Sequence, residues 1–387
     1  MIEPGKSTIR PGLSRPFGLT LGVEEEFVLV DARTWQLFPA APQVLAASGG
    51  ERPTLHGEAT RYQLEVSTAV VDTAAQLRKE LLALRRELVE AASANGCRLV
   101  ASPSPVMTLQ EPLHLCDDEP RQREQLRRYG ALTDSLISCG RHIHVGTLDV
   151  DTAVRAANRI RPWIPTLIAL GANSPFWDGR DTGHASWRTL AWSAWPSAGL
   201  PPHFRSTTHY RRCVRTLLDS GASLDTKMVY WDLRPSERWP TLEIRALDMS
   251  ASVDSAVLQA TLGRALVATA LRELAEDLPT PLVREDVLRL ARWRAAHDGL
   301  EGFGLDPFSG AEVPAAVLAE NLLDLLAPEL AATGDLDEAG SALTVLLRDG
   351  SGAHRQRAVF QRRGQLTDVM RHLADETEGA TALPTAG

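Results

Sequence analysis

The segment from Leu21 to Asp31, LGVEEEFVLVD, places three consecutive glutamates inside a run of apolar residues typical of a β-strand. Burying an unpaired carboxylate is costly, so these side chains need partners. Successive side chains of a strand point to opposite faces, which groups Glu24 with Glu26 and turns Glu25 away from both. The segment therefore predicts a strand with one carboxylate-bearing face and a structural role for Glu25 on the other face.

Three further strand candidates also carry polar groups on one face. They are Glu65 in RYQLEVSTAVVD, the pair His142 and His144 in RHIHVG, and the pair Glu243 and Arg245 in LEIRALD. Taken singly, each of these patterns has a simpler explanation. Paired glutamates are typical of a solvated strand face, an HxH is often a chance match, and a Glu-x-Arg is typical of ion pairs on the surface of a sheet. Four apolar strands with the same arrangement instead favour one shared site.

This combination of residue types suggests a particular chemistry. Carboxylates together with imidazoles form a ligand set suited to Mg²⁺ or Mn²⁺, and arginines supply planar forks for phosphate oxygens. Phosphoryl transfer from ATP uses both, because metals neutralise the triphosphate and arginine stabilises charge on the γ-phosphoryl group. The sequence contains no GxxxxGK[ST] or GxGxxG motif, so phosphate binding would depend on metals and arginines.

The order of the predicted elements indicates an α+β fold with an antiparallel sheet. Strands dominate residues 19–250 and helical periodicity dominates 251–375. We expect a single catalytic domain over 19–375, an irregular N-terminal arm at 1–18 and a disordered tail at 376–387.

Several elements have specific signals. Leucines at 4-3-4 spacing predict a helix over about 73–94, with a Thr73–Gln76 capping box at its start. Residues 228–236 and 241–250 are typical of a hairpin, and Thr280-Pro281 indicates the start of a helix that extends to about 297. We interpret most of 171–215 as loops over a site, because this stretch is rich in Trp, Pro and Gly and has little periodicity.

Composition excludes several classes of partner. The formal net charge is -8 and the pI is about 5.7, which argues against general binding to nucleic acid or to an anionic membrane. No apolar run reaches the length of a membrane span, and the N-terminus has no apolar segment typical of a secretory signal. The four cysteines are scattered without a CxxC pair, which predicts reduced thiols and a cytoplasmic location.

Six motifs in order resemble those of the type 2 glutamate–cysteine ligase family, whose members are also called carboxylate-amine ligases. The resemblance spans about residues 19–305, and the motifs are GVEEEFVLVD, CGRHIHVG, ANSPFWDGRDTGHASWR, DLRPS, TLEIRALD and RWRAAHDGLEG. It implies the catalytic fold of glutamine synthetase, a curved and mainly antiparallel sheet with helices on its outer face and a helical C-terminal part. It also implies that ATP activates a carboxylate to an acyl phosphate, which an amine then attacks to give an amide.

The resemblance also implies roles for individual residues. Metal ligands by motif position are Glu24, Glu26, Glu65, His142 and Glu243, with Glu58 as a weaker candidate. Catalytic groups that also bind the phosphates of ATP are His144, Arg234 and Arg245. Arg188 and Ser186 resemble the substrate-side loop. The implied cofactors are ATP with Mg²⁺ or Mn²⁺, and the implied product is a γ-glutamyl amide of an amino acid or amine.

Two other functions stay open at this point. Histidines with acidic groups also occur in metal-dependent hydrolases, so an amide hydrolase on the same scaffold is an alternative. A non-catalytic nucleotide-binding homologue is another. The sequence identifies neither the amine nor the oligomeric state, and glutamate as donor follows from the resemblance alone.

Overall fold

The computed structural model describes residues 19–51, 53–109, 116, 120–146 and 149–379. The arm predicted at 1–18 and the tail beyond 379 lie outside the described residues. The last helix continues to Gly379, so the prediction of disorder is wrong for residues 376–379. Thr377 explains the difference, because its buried hydroxyl accepts a 3.0 Å hydrogen bond from the Ala101 N–H.

Within the described residues a seven-stranded sheet forms the centre of the molecule, in the order β2-β3-β1-β5-β9-β8, and β4 also pairs with β1. All of these pairings are antiparallel. The sheet strands are β1 (Leu21–Asp31), β2 (Leu55–Gly57), β3 (Gln63–Ser67), β4 (Cys97–Val100), β5 (Gly140–Gly146), β8 (Leu233–Pro235) and β9 (Thr241–Asp248). Two small hairpins contain β6 (Phe176–Trp177) with β7 (Arg180–Asp181), and β10 (Phe303–Leu305) with β11 (Glu312–Pro314).

The helices surround this sheet and fill the C-terminal part of the described chain. They are α1 (Ala41–Ala47), α2 (Ala74–Ala94), α3 (Pro120–Tyr129), α4 (Val150–Ile160), α5 (Ile164–Gly171), α6 (Trp187–Trp192), α7 (Thr207–Asp219), α8 (Val253–Ala275), α9 (Glu285–Asp298), α10 (Ala315–Thr333), α11 (Leu336–Asp349), α12 (Gly352–Arg363) and α13 (Leu366–Gly379). Short 3₁₀ helices occupy Gly130–Ile137, Arg161–Trp163 and Thr226–Met228. None of the described helices has the combination of length and apolar content needed to cross a membrane.

The two faces of the sheet differ in character. Apolar side chains such as Val23, Ile143 and Ile244 lie on one face and pack against α2, α4, α5 and α8 in the largest core cluster. The glutamates and histidines of the sequence motifs lie on the other face. This division confirms the predicted α+β fold, in which one face of an antiparallel sheet is covered by helices.

Glu25 lies on the helix-covered face and forms a buried ion pair with Arg85 of α2. Both side chains have 0% exposure, and the guanidinium Nε and Nη2 atoms lie 2.9 and 2.7 Å from the two carboxylate oxygens. Arg85 also donates to the carbonyls of Ser250 and Ala251, just before α8 begins. This pair therefore joins β1, α2 and the start of α8, and it confirms that Glu25 points away from its two neighbours.

Other local predictions had mixed outcomes. The Thr73–Gln76 capping box and the β8–β9 hairpin are confirmed. The helix predicted from Thr280-Pro281 begins instead at Glu285, where Glu285 and Asp286 place negative charge in the first turn. Residues 171–215 are less loop-like than expected, because they contain α6 and the first part of α7, with Ser206 as the N-cap of α7.

We predict that Arg85→Met lowers the free energy of unfolding by about 3–5 kcal/mol, because it leaves the Glu25 carboxylate buried without its partner. Urea denaturation followed by circular dichroism measures the change. Arg127→Met is the matched control, since Arg127 pairs with Glu124 on the surface, where its side chain is 71% exposed. The double variant Glu25→Leu/Arg85→Met should recover part of the loss. A double variant no more stable than Arg85→Met would contradict this explanation.

Candidate active site

A cavity of about 540 Å³ lies over the polar face of the sheet. Its walls come from the sheet, the β8–β9 turn, α3, α6 and α9. Most of the residues that the sequence predicted for the site line it, namely Glu24, Glu26, Glu58, Glu65, His142, His144, Arg188, Arg234, Glu243 and Arg245.

The centre of the site lies where β1 pairs with β5. Glu24 and His142 are register partners, and His142 Nδ1 lies 3.0 Å from Glu24 Oε2. His144, two residues along β5, places its Nε2 atom 3.3 Å from the other Glu24 oxygen and its Nδ1 atom 3.0 Å from the Thr241 hydroxyl. Strand alternation and register together therefore bring both histidines to Glu24.

Glu243 on β9 is held by two arginines of the β8–β9 hairpin. Arg234 Nε donates to Glu243 Oε2 at 2.8 Å, and Arg245 donates to Oε1. Burial acts to raise the pKa of Glu243, but the two guanidinium groups and the nearby histidines hold it below its ordinary value. Glu243 is therefore a carboxylate at neutral pH, and it fixes both guanidinium groups beside it.

A second group of donor atoms lies towards the other edge of the sheet, at β2 and β3. His56 and Glu65 are register partners, with His56 Nδ1 3.7 Å from Glu65 Oε2, and Glu58 follows directly after β2. His56 was not among the residues predicted from the sequence. The spacing His56-x-Glu58 obeys the same i, i+2 rule as the HxH motif, so that signal was available.

Glu26 lies between the two groups. It is the register partner of Glu65, and its Oε1 atom lies 3.8 Å from His142 Nε2. Its other oxygen accepts a 2.6 Å hydrogen bond from the Gly140 N–H. Burial, together with the negative charge of Glu58, raises the pKa of Glu26 to about 7.

Among the residues that the structure describes, two sets of three donor atoms lie close enough together to ligate metal ions. In each set the atoms lie within 4.8 Å of one another, and the sets are Glu24, His142 and Glu243, and His56, Glu58 and Glu65. Burial and the nearby Arg245 lower the pKa of His142 to about 4, so its imidazole is neutral at pH 7 and has a lone pair to offer. Burial and contact with Glu58 raise the pKa of Glu65 well above its ordinary value, which reflects the crowding of carboxylates.

Arg188 of α6 brings a guanidinium group to another part of the cavity wall. The residue is only 5% exposed, and its Nε atom has no hydrogen-bond partner in the described part of the chain. The guanidinium group lies directly over Gly140, because a β-carbon built there would come within 2.2 Å of Arg188 Nη2. The glycine of the CGRHIHVG motif therefore makes room for this arginine.

Ser186 is not among the residues that line the cavity, and its assignment to the substrate-side loop stays a prediction. Its buried hydroxyl donates to Asp248 Oδ1 at 3.0 Å and lies 2.8 Å from the Thr189 hydroxyl. The Ser174 hydroxyl accepts from the Arg188 N–H and donates to the other oxygen of Asp248 at 2.7 Å. Ser186 thus helps to anchor the start of α6 to the end of β9, and it positions Arg188.

The sequence matches a known family over almost its whole length. Residues 20–372 match the family described as glutamate-cysteine ligase family 2 (GCS2). A protein of Saccharopolyspora erythraea named "Putative glutamate--cysteine ligase 2-1" is 45% identical over 361 residues, which cover 93% of this chain and 95% of that protein. A protein of Salinispora arenicola named "Putative glutamate--cysteine ligase 2" is 42% identical, and the match covers 96% of this chain and 99% of that protein.

Solved structures resemble the chain at much lower identity. The crystal structure of the glutamate–cysteine ligase of Francisella tularensis in complex with AMP has a TM-score of 0.72 and 13% identity, and the match covers 95% of this chain and 90% of that chain. A bifunctional glutathione synthetase of Pasteurella multocida has a TM-score of 0.68 and 16% identity, over 94% of this chain and 52% of that chain. These structures support the fold, and the sequence matches establish the family. The chain belongs to glutamate–cysteine ligase family 2, a family of ATP-dependent ligases.

Proposed function

We propose that this chain is a carboxylate–amine ligase that uses ATP to join the γ-carboxylate of glutamate to the amine of an amino acid or other small molecule. The single observation that carries the proposal is one cavity in which two sets of metal-ligating side chains lie beside the guanidinium groups of Arg234, Arg245 and Arg188. Family membership supports the reaction class. The glutamate donor and the acyl-phosphate intermediate are the finer parts of the proposal.

The polar face of the sheet fits divalent metal ions. Both sets of donors combine carboxylates with an imidazole, and the crowded carboxylates Glu26 and Glu65 resist ionisation, which a cation would relieve. When bound, Mg²⁺ or Mn²⁺ would neutralise the phosphate oxygens of ATP. The residues that would hold these ions are Glu24, His142 and Glu243 in one set, and His56, Glu58 and Glu65 in the other, with Glu26 between them.

The β8–β9 hairpin supplies the groups for the phosphates. Arg234 and Arg245 are fixed by Glu243, so their planar forks are already oriented before a nucleotide arrives. Burial acts to lower the pKa of His144, but Glu24 and Glu243 raise it overall, so His144 can add positive charge there. In this proposal the three side chains stabilise the charge that develops as the γ-phosphoryl group leaves ADP.

The reaction proceeds in two displacements. A carboxylate oxygen of glutamate attacks the γ-phosphorus, the bond to the ADP oxygen breaks, and an acyl phosphate forms. The amine nitrogen then attacks the acyl carbon, the carbon–oxygen bond to phosphate breaks, and the nitrogen loses a proton as the amide forms. Arg188 is the proposed contact for the carboxylate of an amino-acid substrate, because the residue lines the cavity and a guanidinium group suits a carboxylate.

A first prediction concerns coupling between substrates. ADP and phosphate should accumulate only when glutamate and a suitable amine are both present with ATP and Mg²⁺, because the acyl phosphate is consumed by the amine. Mass spectrometry across a panel of amino acids and amines would identify the amide. Release of glutamate from a γ-glutamyl amide without nucleotide would support a hydrolase instead, and nucleotide binding without turnover on the whole panel would support a non-catalytic homologue.

A second prediction separates the faces of β1. Glu24→Gln and Glu243→Gln should each lower kcat/KM by at least about 100-fold, because each removes an anionic metal ligand. Binding of Mn²⁺, followed by electron paramagnetic resonance, should weaken in both variants. Glu25→Gln is the control within the same run of glutamates. The molecules of this variant that fold should keep the wild-type affinity for Mn²⁺ and most of the activity. Equal losses at Glu24 and Glu25 would contradict the assignment.

A third prediction concerns Gly140. The β-carbon of Gly140→Ala would displace the Arg188 guanidinium group, so KM for the amino-acid substrate should rise about ten-fold or more while KM for ATP changes little. Gly22→Ala is the matched control, since a β-carbon on that strand glycine would meet only His144 Cβ at 3.8 Å. A parallel rise in both KM values in Gly140→Ala would show that Arg188 does not act on the amino acid.

A further inference from the structure

A single tryptophan stands at the tip of the β8–β9 hairpin and borders the cavity. Trp239 is 55% exposed and lines the cavity together with Ser236 and Arg238 of the same turn. The turn is closed by hydrogen bonds from the Ser236 N–H to the Thr241 carbonyl at 2.9 Å and from the Thr241 N–H to the Trp239 carbonyl at 2.7 Å. The indole is therefore carried on a structured turn while much of its surface remains in water.

The other large aromatic side chains of the cavity wall are already packed. Trp192 and Tyr230 contact each other with ring centroids 5.0 Å apart, and both contact Trp195. Trp239 instead contacts Arg238, whose guanidinium carbon lies 5.2 Å from the centroid of the indole ring. This cation–π contact restrains the indole and brings positive charge to the mouth of the cavity. The Trp239 indole with the Arg238 guanidinium group beside it suits a planar, electron-rich ligand.

The hairpin also sets the distance from Trp239 to the phosphate-side groups. Arg234 on β8 and Glu243 on β9 are register partners, and Trp239 lies in the turn, five residues after Arg234 and four residues before Glu243. At about 3.3 Å per residue of strand, four residues span roughly 13 Å, so Trp239 lies within that distance of Glu243 along the hairpin. An extended nucleotide can span this distance, with its phosphates at the arginines and its base at the turn.

We propose that Trp239 forms the base-binding subsite of this chain and stacks on the purine ring of ATP. The proposal rests on the ligase function proposed above, because it requires ATP with its phosphates beside Arg234 and Arg245. Stacking uses the face of a base and does not read its hydrogen-bonding edge. The subsite therefore contributes affinity for a purine nucleoside triphosphate and discriminates little between adenine and guanine.

The test compares ligands with and without a base. Isothermal titration calorimetry with MgCl₂ measures Kd for ATP, GTP and inorganic tripolyphosphate with the full chain and its variants. Trp239→Ala should raise Kd for ATP and GTP about ten-fold, in line with the affinity that stacking on an aromatic side chain provides, and should leave Kd for tripolyphosphate unchanged. Trp239→Phe should restore most of the ATP affinity.

A matched control uses a second exposed tryptophan outside the cavity. Trp293 is 45% exposed and stacks on His297 at 4.9 Å, so Trp293→Ala should change none of the three Kd values. Unchanged ATP affinity in Trp239→Ala, or equal weakening of ATP and tripolyphosphate, would overturn the base subsite while leaving the ligase proposal intact. If the wild-type chain bound no ATP at all, both proposals would be overturned together.

Discussion

The buried ion pair between Glu25 and Arg85 determines which side chains β1 presents to the cavity. A shift of one residue in the register of a strand moves every side chain to the opposite face of the sheet. In β1 that shift would bury both Glu24 and Glu26 against the helices and pull Glu25 away from Arg85. The ion pair is fully desolvated and also ties down the segment before α8, so alternative registers lose a paired charge as well as apolar contacts. Its main contribution is therefore to the specificity of the fold.

The carboxylates on the cavity face fall into two electrostatic groups. Glu243 lies beside two guanidinium groups, and Glu24 lies beside two imidazoles, and in both residues these partners lower the pKa despite burial. Glu26 and Glu65 have other carboxylates as close neighbours, and burial with this repulsion raises the pKa of each. The negative charge on the β5–β9 side of the site is thus largely compensated by the protein itself, whereas the proposed cations would compensate more of the charge on the side at β2 and β3.

Alternation and register explain how much of this site the sequence could predict. The rule that residues i and i+2 share a face predicted which side chains lie together on the cavity face of the long strands. Each of these strands has at least seven residues, and the side chains are Glu24, Glu26, His142, His144, Glu243 and Arg245. His56 was missed because β2 has only three residues, so the i, i+2 spacing of His56 and Glu58 lacks the apolar alternation that marks a longer strand. The contact of Ser186 with Asp248 was not predicted because it joins residues 62 positions apart, and no local pattern encodes such a contact. The helices within 171–215 were missed because apolar periodicity is weak there, although Ser206 has the side chain of an N-cap.

Strand β9 connects the turn that carries Trp239 to the segment that carries Arg188. Its first residue, Thr241, closes the turn that carries Trp239, and its last residue, Asp248, holds the serines that anchor α6 and Arg188. The strand has eight residues including these two ends, spans roughly 23 Å at strand geometry, and carries Glu243 and Arg245 near its middle. The length of β9 therefore sets the distance between the region proposed for the nucleotide and the region proposed for the amino acid. A change confined to the turn or to α6 would leave this spacing intact, but an insertion within β9 would change the alignment of the turn and of α6 with Glu243 and Arg245.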